Sequence, residues 1–188
     1  MTRPVELAIE VAHLFEQLGI PYYLAGSLAS SIHGEPRATR DIDFVAEIGA
    51  AQVEPFCRAL GGAYYVDRET VAQAVVRHGH FNVVRLDSML KVDVFLPVDR
   101  ARFAEELRRS RVTGVGADAL RVASAEDTVL AKLDWFRLGG EVSDRQWSDV
   151  VGVLRIQQEA LDLDYLAAQA VARGLATLLE RALAEARD

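Results

Sequence analysis

Apolar residues change their spacing along the chain, and those changes predict its elements. Val5, Ile9, Val11, Leu14, Phe15 and Leu18 recur close to helical spacing until Gly19, which predicts a helix over 4–18. Tyr22–Ala25 reads as a short strand and Leu28–His33 as a short helix closed by Gly34. Strand patterns follow at Asp41–Ile48, Ala63–Val66, Phe81–Leu86 and Lys91–Leu96, the last two joined by a turn at Asp87-Ser88. Between and after them, Ala50–Leu60, Glu69–Arg77 and Arg102–Arg109 read as helices, and Arg111–Val122 is weakly strand-like around Gly114 and Gly116. Past Ser124 the pattern is helical throughout, over 125–138, 144–157, 162–173 and 175–186, with breaks at Gly139-Gly140 and Gly174. Ser124 with Asp127, and Ser143 with Gln146, have capping-box spacing. The pattern predicts an α/β (α+β) protein: a mixed-sheet core over 1–122 and a C-terminal helical bundle over 123–188 packed on it.

Composition narrows the class. The chain has 188 residues, about half of them apolar, and a single cysteine, Cys57, so no intrachain disulfide forms. That usage fits a reducing cytoplasm, and no apolar run reaches the ~18–20 residues of a membrane span. A cytoplasmic protein without membrane contact is expected. The net charge of −7 disfavours an extended nucleic-acid surface, which is ordinarily basic.

The chemistry concentrates in residues 26–43. Gly26-Ser27 follows a strand and opens a helix, where a tight turn, a hydroxyl and unpaired backbone N–H groups suit a phosphate. Ser27 also suits a plain helix cap. Asp41 and Asp43 alternate on one strand face, roughly 6.5–7 Å apart at ~3.3 Å rise per residue. Asp93 stands in a second apolar strand, Lys91-Val-Asp-Val-Phe-Leu. Three carboxylates on one face repel unless a cation neutralises them, and Mg²⁺ takes oxygen ligands together with substrate phosphates. The alternative for Asp93 is an ordinary ion pair with Lys91 or with a neighbouring arginine. Arg37 and Arg40, flanking Thr39, either grip a triphosphate or balance the acids. Trp135, Trp147 and Cys57 read as packing residues, and His33 as a residue beneath the loop.

Gly26-Ser27, then Asp41-Ile-Asp43, then Asp93 on a later strand resembles the nucleotidyltransferase superfamily that shares the DNA polymerase β fold. The resemblance covers about residues 20–97. It implies that Ser27 contacts the β- and γ-phosphates of an NTP, and that Asp41 and Asp43 bind two Mg²⁺ ions, with Mn²⁺ able to substitute. Asp93 then binds the catalytic ion and helps activate an acceptor hydroxyl on a protein, a tRNA or a small molecule. A finer resemblance is to the AbiE-type (AbiEii-like) toxin nucleotidyltransferases. It rests on Gly34-Glu-Pro-Arg-Ala-Thr-Arg before Asp41, and on Lys132, Arg145 and Asp149 downstream. It implies that Lys132 reaches the nucleotide phosphates or base, that Asp149 holds the site's electrostatics, and that the context is a toxin–antitoxin or phage-defence system. Separately, the amphipathic run Leu161 to Ala184 suits either core or the antitoxin or homodimer interface of a metal-free scaffold. Read locally, Lys132 is also a packed lysine with a wet head, and Arg145 with Asp149 an i,i+4 helix pair. The competing expectation for the whole chain is a catalytically degenerate nucleotide- or partner-binding module.

Overall fold

The computed structural model describes residues 3–187. They form two compact units. One takes in the chain up to Leu28 together with Thr39–Ala123; the other takes in Ala29–Ala38 and the chain from Ser124 onward. The helical unit therefore includes a segment from the first fifth of the chain, whereas the sequence pattern begins that unit at 123.

The first unit is built on a seven-stranded mixed sheet: β1 (Tyr22–Ala25), β2 (Asp41–Ala46), β3 (Tyr64–Tyr65), β4 (His80–Arg85), β5 (Lys91–Phe95), β6 (Arg111–Thr113) and β7 (Leu120–Val122). Their spatial order is β3-β4-β5-β2-β1-β7-β6. β2 runs parallel to β5 and antiparallel to β1, and β4 runs antiparallel to β5. The weakly strand-like stretch 111–122 is two strands, β6 and β7, paired antiparallel.

Strand alternation sorts the side chains. Ile42, Phe44, Phe81, Val92 and Val94 are fully buried or nearly so on one face. There α1 (Pro4–Gln17) and α3 (Val53–Leu60) bring Phe15 and Phe56, with ring centroids 5.4 Å apart for Phe15–Phe44 and 5.9 Å for Phe56–Phe81. On the opposite face α5 (Arg100–Arg109) covers Tyr23 and Val45 with Phe103 and Leu107, and the Tyr23 hydroxyl donates to Glu106 at 2.7 Å. Beyond that cluster the second face carries Asp41, Asp43, Lys91, Asp93 and Asn82 alongside Phe95 and Val84.

In the second unit, α6 (Ala125–Leu138), α7 (Asp144–Gln157), α8 (Leu163–Ala172) and α9 (Ala176–Arg187) enclose Val129, Leu133, Val150, Leu154, Leu166 and Leu179. The Ser124 and Ser143 hydroxyls accept from Asp127 N at 3.0 Å and Gln146 N at 3.4 Å, the caps that the spacing predicts. Trp147 packs on Phe136 at 5.1 Å, but Trp135 is 56% exposed, not a packing residue, because it faces away from that core. Gly34 lies against the α7 backbone so closely that a Cβ there would stand 2.8 Å from Val153 N. The Gln157 side-chain amide donates to the His33 carbonyl at 2.7 Å. No helix of the described residues is long and apolar enough to cross a membrane.

Candidate active site

The strand pairing places the acids in register. Asp43 on β2 is the direct neighbour of Asp93 on β5, and Asp41 the direct neighbour of Lys91. The row continues to Ala25 on one side and Asn82 on the other. Neighbouring strands lie about 4.8 Å apart, so the Asp43 and Asp93 carboxylates leave the sheet side by side on its polar face. Asp41 is exposed, while Asp43 and Asp93 are half-buried.

Asp93 is held from both sides. The Lys91 ammonium lies 2.8 Å from its Oδ2, and Asn82 Nδ2 donates to Oδ1 at 3.3 Å. The hydrogen bond to Asp93 holds the Lys91 ammonium above its ordinary pKa, with smaller support from the charges of Asp93, Asp41 and Asp43. Asn82 carries no signal in the sequence; only the β4–β5 register brings it here. The same face continues with Phe95 and His80, whose rings stack at 5.5 Å.

Gly26 and Ser27 open α2 (Gly26–His33) directly from β1. Gly26 has φ +60°, and a Cβ on it would stand 1.9 Å from Asp43 Oδ2. Only glycine lets the helix start in this conformation while the Asp43 carboxylate packs against its α-carbon. The Gly-Ser turn and the acid row are thus one construction.

The helical unit holds a second cluster. Arg37 grips Asp149 bidentately, Nε to Oδ1 at 2.7 Å and Nη2 to Oδ2 at 2.8 Å, and Lys132 Nζ reaches Oδ2 at 2.8 Å. Burial raises the pKa of Asp149, but the hydrogen bonds from Arg37 and Lys132 outweigh it and hold the carboxyl below its ordinary value. Asp149 pairs with these two rather than with Arg145, which stays exposed; the local helix-pair reading gives way because a nearly buried carboxylate draws cations that are themselves desolvated. Arg40, in contrast, is exposed on the extended segment leading into β2. A cleft of about 530 Å³ lined by Glu16, Tyr22, Leu107, Arg108 and Arg121 lies elsewhere on the sheet unit and contains none of the acids.

The fit of the row to a divalent cation lies in donor chemistry: Asp41, Asp43 and Asp93 supply only carboxylate oxygens, from one face of two adjacent strands. Among the described residues, no three His, Cys, Asp or Glu side chains stand close enough around one point to form a ready-made ion cage. Mg²⁺ ordinarily draws only one or two ligands from protein carboxylates and the rest from water and phosphate oxygens.

No protein-family model matches the chain, and no curated protein matches it by sequence. Solved structures do. The antibiotic-resistance factor ANT(2'')-Ia in complex with adenylyl-2''-tobramycin superposes with a TM-score of 0.57 at 18% identity, over 92% of this chain and 99% of that one. A nucleotidyltransferase-like protein from Paracoccidioides brasiliensis gives 0.54 at 14% identity, over 96% and 92%. The lincosamide antibiotic adenylyltransferase LnuA, bound to lincomycin, gives 0.52 at 14% identity, over 81% and 96%. At such identities the likeness gives the fold, which is that of the nucleotidyltransferases.

Proposed function

We propose that the chain transfers a nucleoside monophosphate from an NTP to a hydroxyl of a small polar molecule. The observation that carries this reading is the in-register row of Asp43 and Asp93 with Asp41, set against the Gly26–Ser27 helix start. The acceptor oxygen bonds to the α-phosphorus, the bridge to the β-phosphate breaks, and pyrophosphate leaves. Asp93 takes the acceptor's proton as the bond forms, once its carboxylate is free of Lys91. Ser27 and the N–H groups of the first turn of α2 hold phosphate oxygens, and exposed Arg40 adds a further cation to them. A divalent ion held by Asp41, Asp43 and Asp93 supplies neutralisation of the triphosphate's charge. Most of the acceleration comes from positioning and charge, as in phosphoryl transfer generally. Arg37 and Lys132 act through Asp149, holding the 29–38 segment within the helical unit.

Support for a small acceptor comes from the fold neighbours, which this chain spans almost end to end and which are described with lincomycin and adenylyl-tobramycin. The stacked Phe95 and His80 beside Asp93 offer such a molecule a flat surface. The test is incubation with each α-³²P-labelled NTP, Mg²⁺ and a panel of aminoglycosides and lincosamides, followed by chromatography of the small molecules. Labelled adduct from the wild type and none from Asp43→Asn supports the reading. Absence of transfer, or transfer indifferent to Asp43 and Asp93, refutes it; NTP binding alone points to a degenerate module.

A second reading, an AbiE-type toxin acting within a toxin–antitoxin or phage-defence system, is favoured by one observation. Arg37, Lys132 and Asp149, all drawn from the segments that carry that resemblance, meet in one cluster. Growth arrest on expression that disappears in Asp43→Asn supports it, and arrest that persists removes it.

A further inference from the structure

We propose that Lys91 is a built-in cation that competes with the divalent ion for Asp93 and thereby sets the metal affinity of the acid row. The inference rests on the reading of that row as a metal centre. Lys91 precedes Asp93 by two residues on β5, so strand alternation places both on the polar face, and the register sets Lys91 directly beside Asp41. Its ammonium lies 2.8 Å from Asp93 Oδ2, on a side chain 47% exposed, against 14% for Asp93. The long stem thus runs along the sheet from solvent to the least exposed end of the pair. Asn82 occupies the other carboxylate oxygen. An ammonium on Oδ2 takes up one of its lone pairs and draws charge from it, which weakens it as a metal ligand, and two cations at that spacing repel each other. Lys91 where it stands therefore opposes ion binding at Asp93, and withdrawal of its half-exposed side chain into solvent relieves that opposition.

An ordinary surface pair would leave metal affinity untouched, so the two roles separate. Isothermal titration of Mn²⁺ into the full chain compares wild type, Lys91→Met, Lys91→Arg and Asp43→Asn. Lys91→Met keeps the stem and removes the charge; it is expected to bind Mn²⁺ about five- to tenfold more tightly, the size of a partly screened charge contact. Lys91→Arg restores a cation and is expected to return affinity toward the wild-type value. In an Asp93→Asn background the Lys91→Met gain is expected to fall below about twofold, because the contested oxygen is gone. Equal or weaker binding by Lys91→Met, with binding still dependent on Asp43, overturns the competition while leaving the metal centre standing. Absence of Asp43-dependent binding in every variant overturns the metal centre and this inference with it. A circular-dichroism melt of each variant confirms that the titrated protein is folded.

Discussion

Removing the Asp149 carboxylate is the sharpest structural perturbation available in the helical unit. Its side chain is 6% exposed, as is that of Lys132, and Arg37 is 27% exposed. Asp149→Asn keeps the volume but deletes the charge that two cations share. Lys132 is then left as a buried ammonium without its carboxylate, a change that ordinarily costs about 3–5 kcal/mol. For a chain of this size each kcal/mol moves the thermal midpoint about 2–4 °C, so a fall of about 6–20 °C is expected by calorimetry. The sign of the pH dependence follows from the lowered pKa of Asp149. A carboxyl depressed in the folded state contributes stability above its unfolded value of about 3.9, and loses it as pH falls through the folded value. The gap between wild type and variant should therefore be flat from about pH 5 to 8 and close below about pH 4. Replacing both partners, Asp149→Leu with Lys132→Met, should recover most of the loss, since an apolar pair needs no compensation and Arg37 can turn to water. A midpoint shift under about 2 °C for Asp149→Asn, or a gap that widens in acid, refutes the assignment of a buried, charge-sharing cluster.

Three further substitutions test the rest of the frame. Gly26→Ala adds a Cβ 1.9 Å from Asp43 Oδ2 at φ +60°, and should cost about 1–3 kcal/mol in urea unfolding together with Asp43-dependent Mn²⁺ binding. Wild-type behaviour in both measurements would remove the link between turn and acid row. Gly34→Ala pushes a Cβ to 2.8 Å from Val153 N, backbone that cannot rotate away, and should destabilise by about 1–3 kcal/mol with the acid row's Mn²⁺ affinity unchanged. Asp93→Asn should lower labelled-NMP transfer by about 10²–10⁴-fold without lowering the thermal midpoint, measured as initial rates at saturating NTP; a smaller fall would take the proton-accepting role away from it.

Local signals carried the helices well and the pairings poorly. The helices at 125–138 and 144–157 lie where the spacing put them, because Ser124, Ser143 and Gly139 punctuate them within a few residues. Strand alternation likewise showed that Asp41 and Asp43 share one face of their strand. It could not show that Asp43 lies opposite Asp93, since that register depends on a pairing between segments about fifty residues apart. Asp149 illustrates the same limit. Its neighbour at i−4, Arg145, was the visible partner, while the actual ones, Arg37 and Lys132, are 112 and 17 residues away. The close approach of Gly34 to α7 explains why 29–38 joins the helical unit, and a glycine that ends a helix gives no sign of what its missing Cβ lets in.

Asp43 and Asp93 pose a problem that the fold has to solve before any ligand arrives. Two carboxylates about 5 Å apart repel by about 1–3 kcal/mol at effective dielectrics of 80 to 20, and Asp41 adds to this. A row of carboxylates is thus under charge strain unless a cation stands beside it. Lys91 relieves that strain from within the strand, and on the competition proposed above it does so at the cost of affinity for a divalent ion. The two effects have opposite signs in one variant: Lys91→Met should melt lower than wild type in EDTA and gain more from added Mn²⁺. A counterion that only decorated the surface would do neither. Melting curves of both proteins, with EDTA and with Mn²⁺, therefore separate a lysine that merely neutralises a surface from one that trades resting stability against loading, and parallel curves would leave only the former.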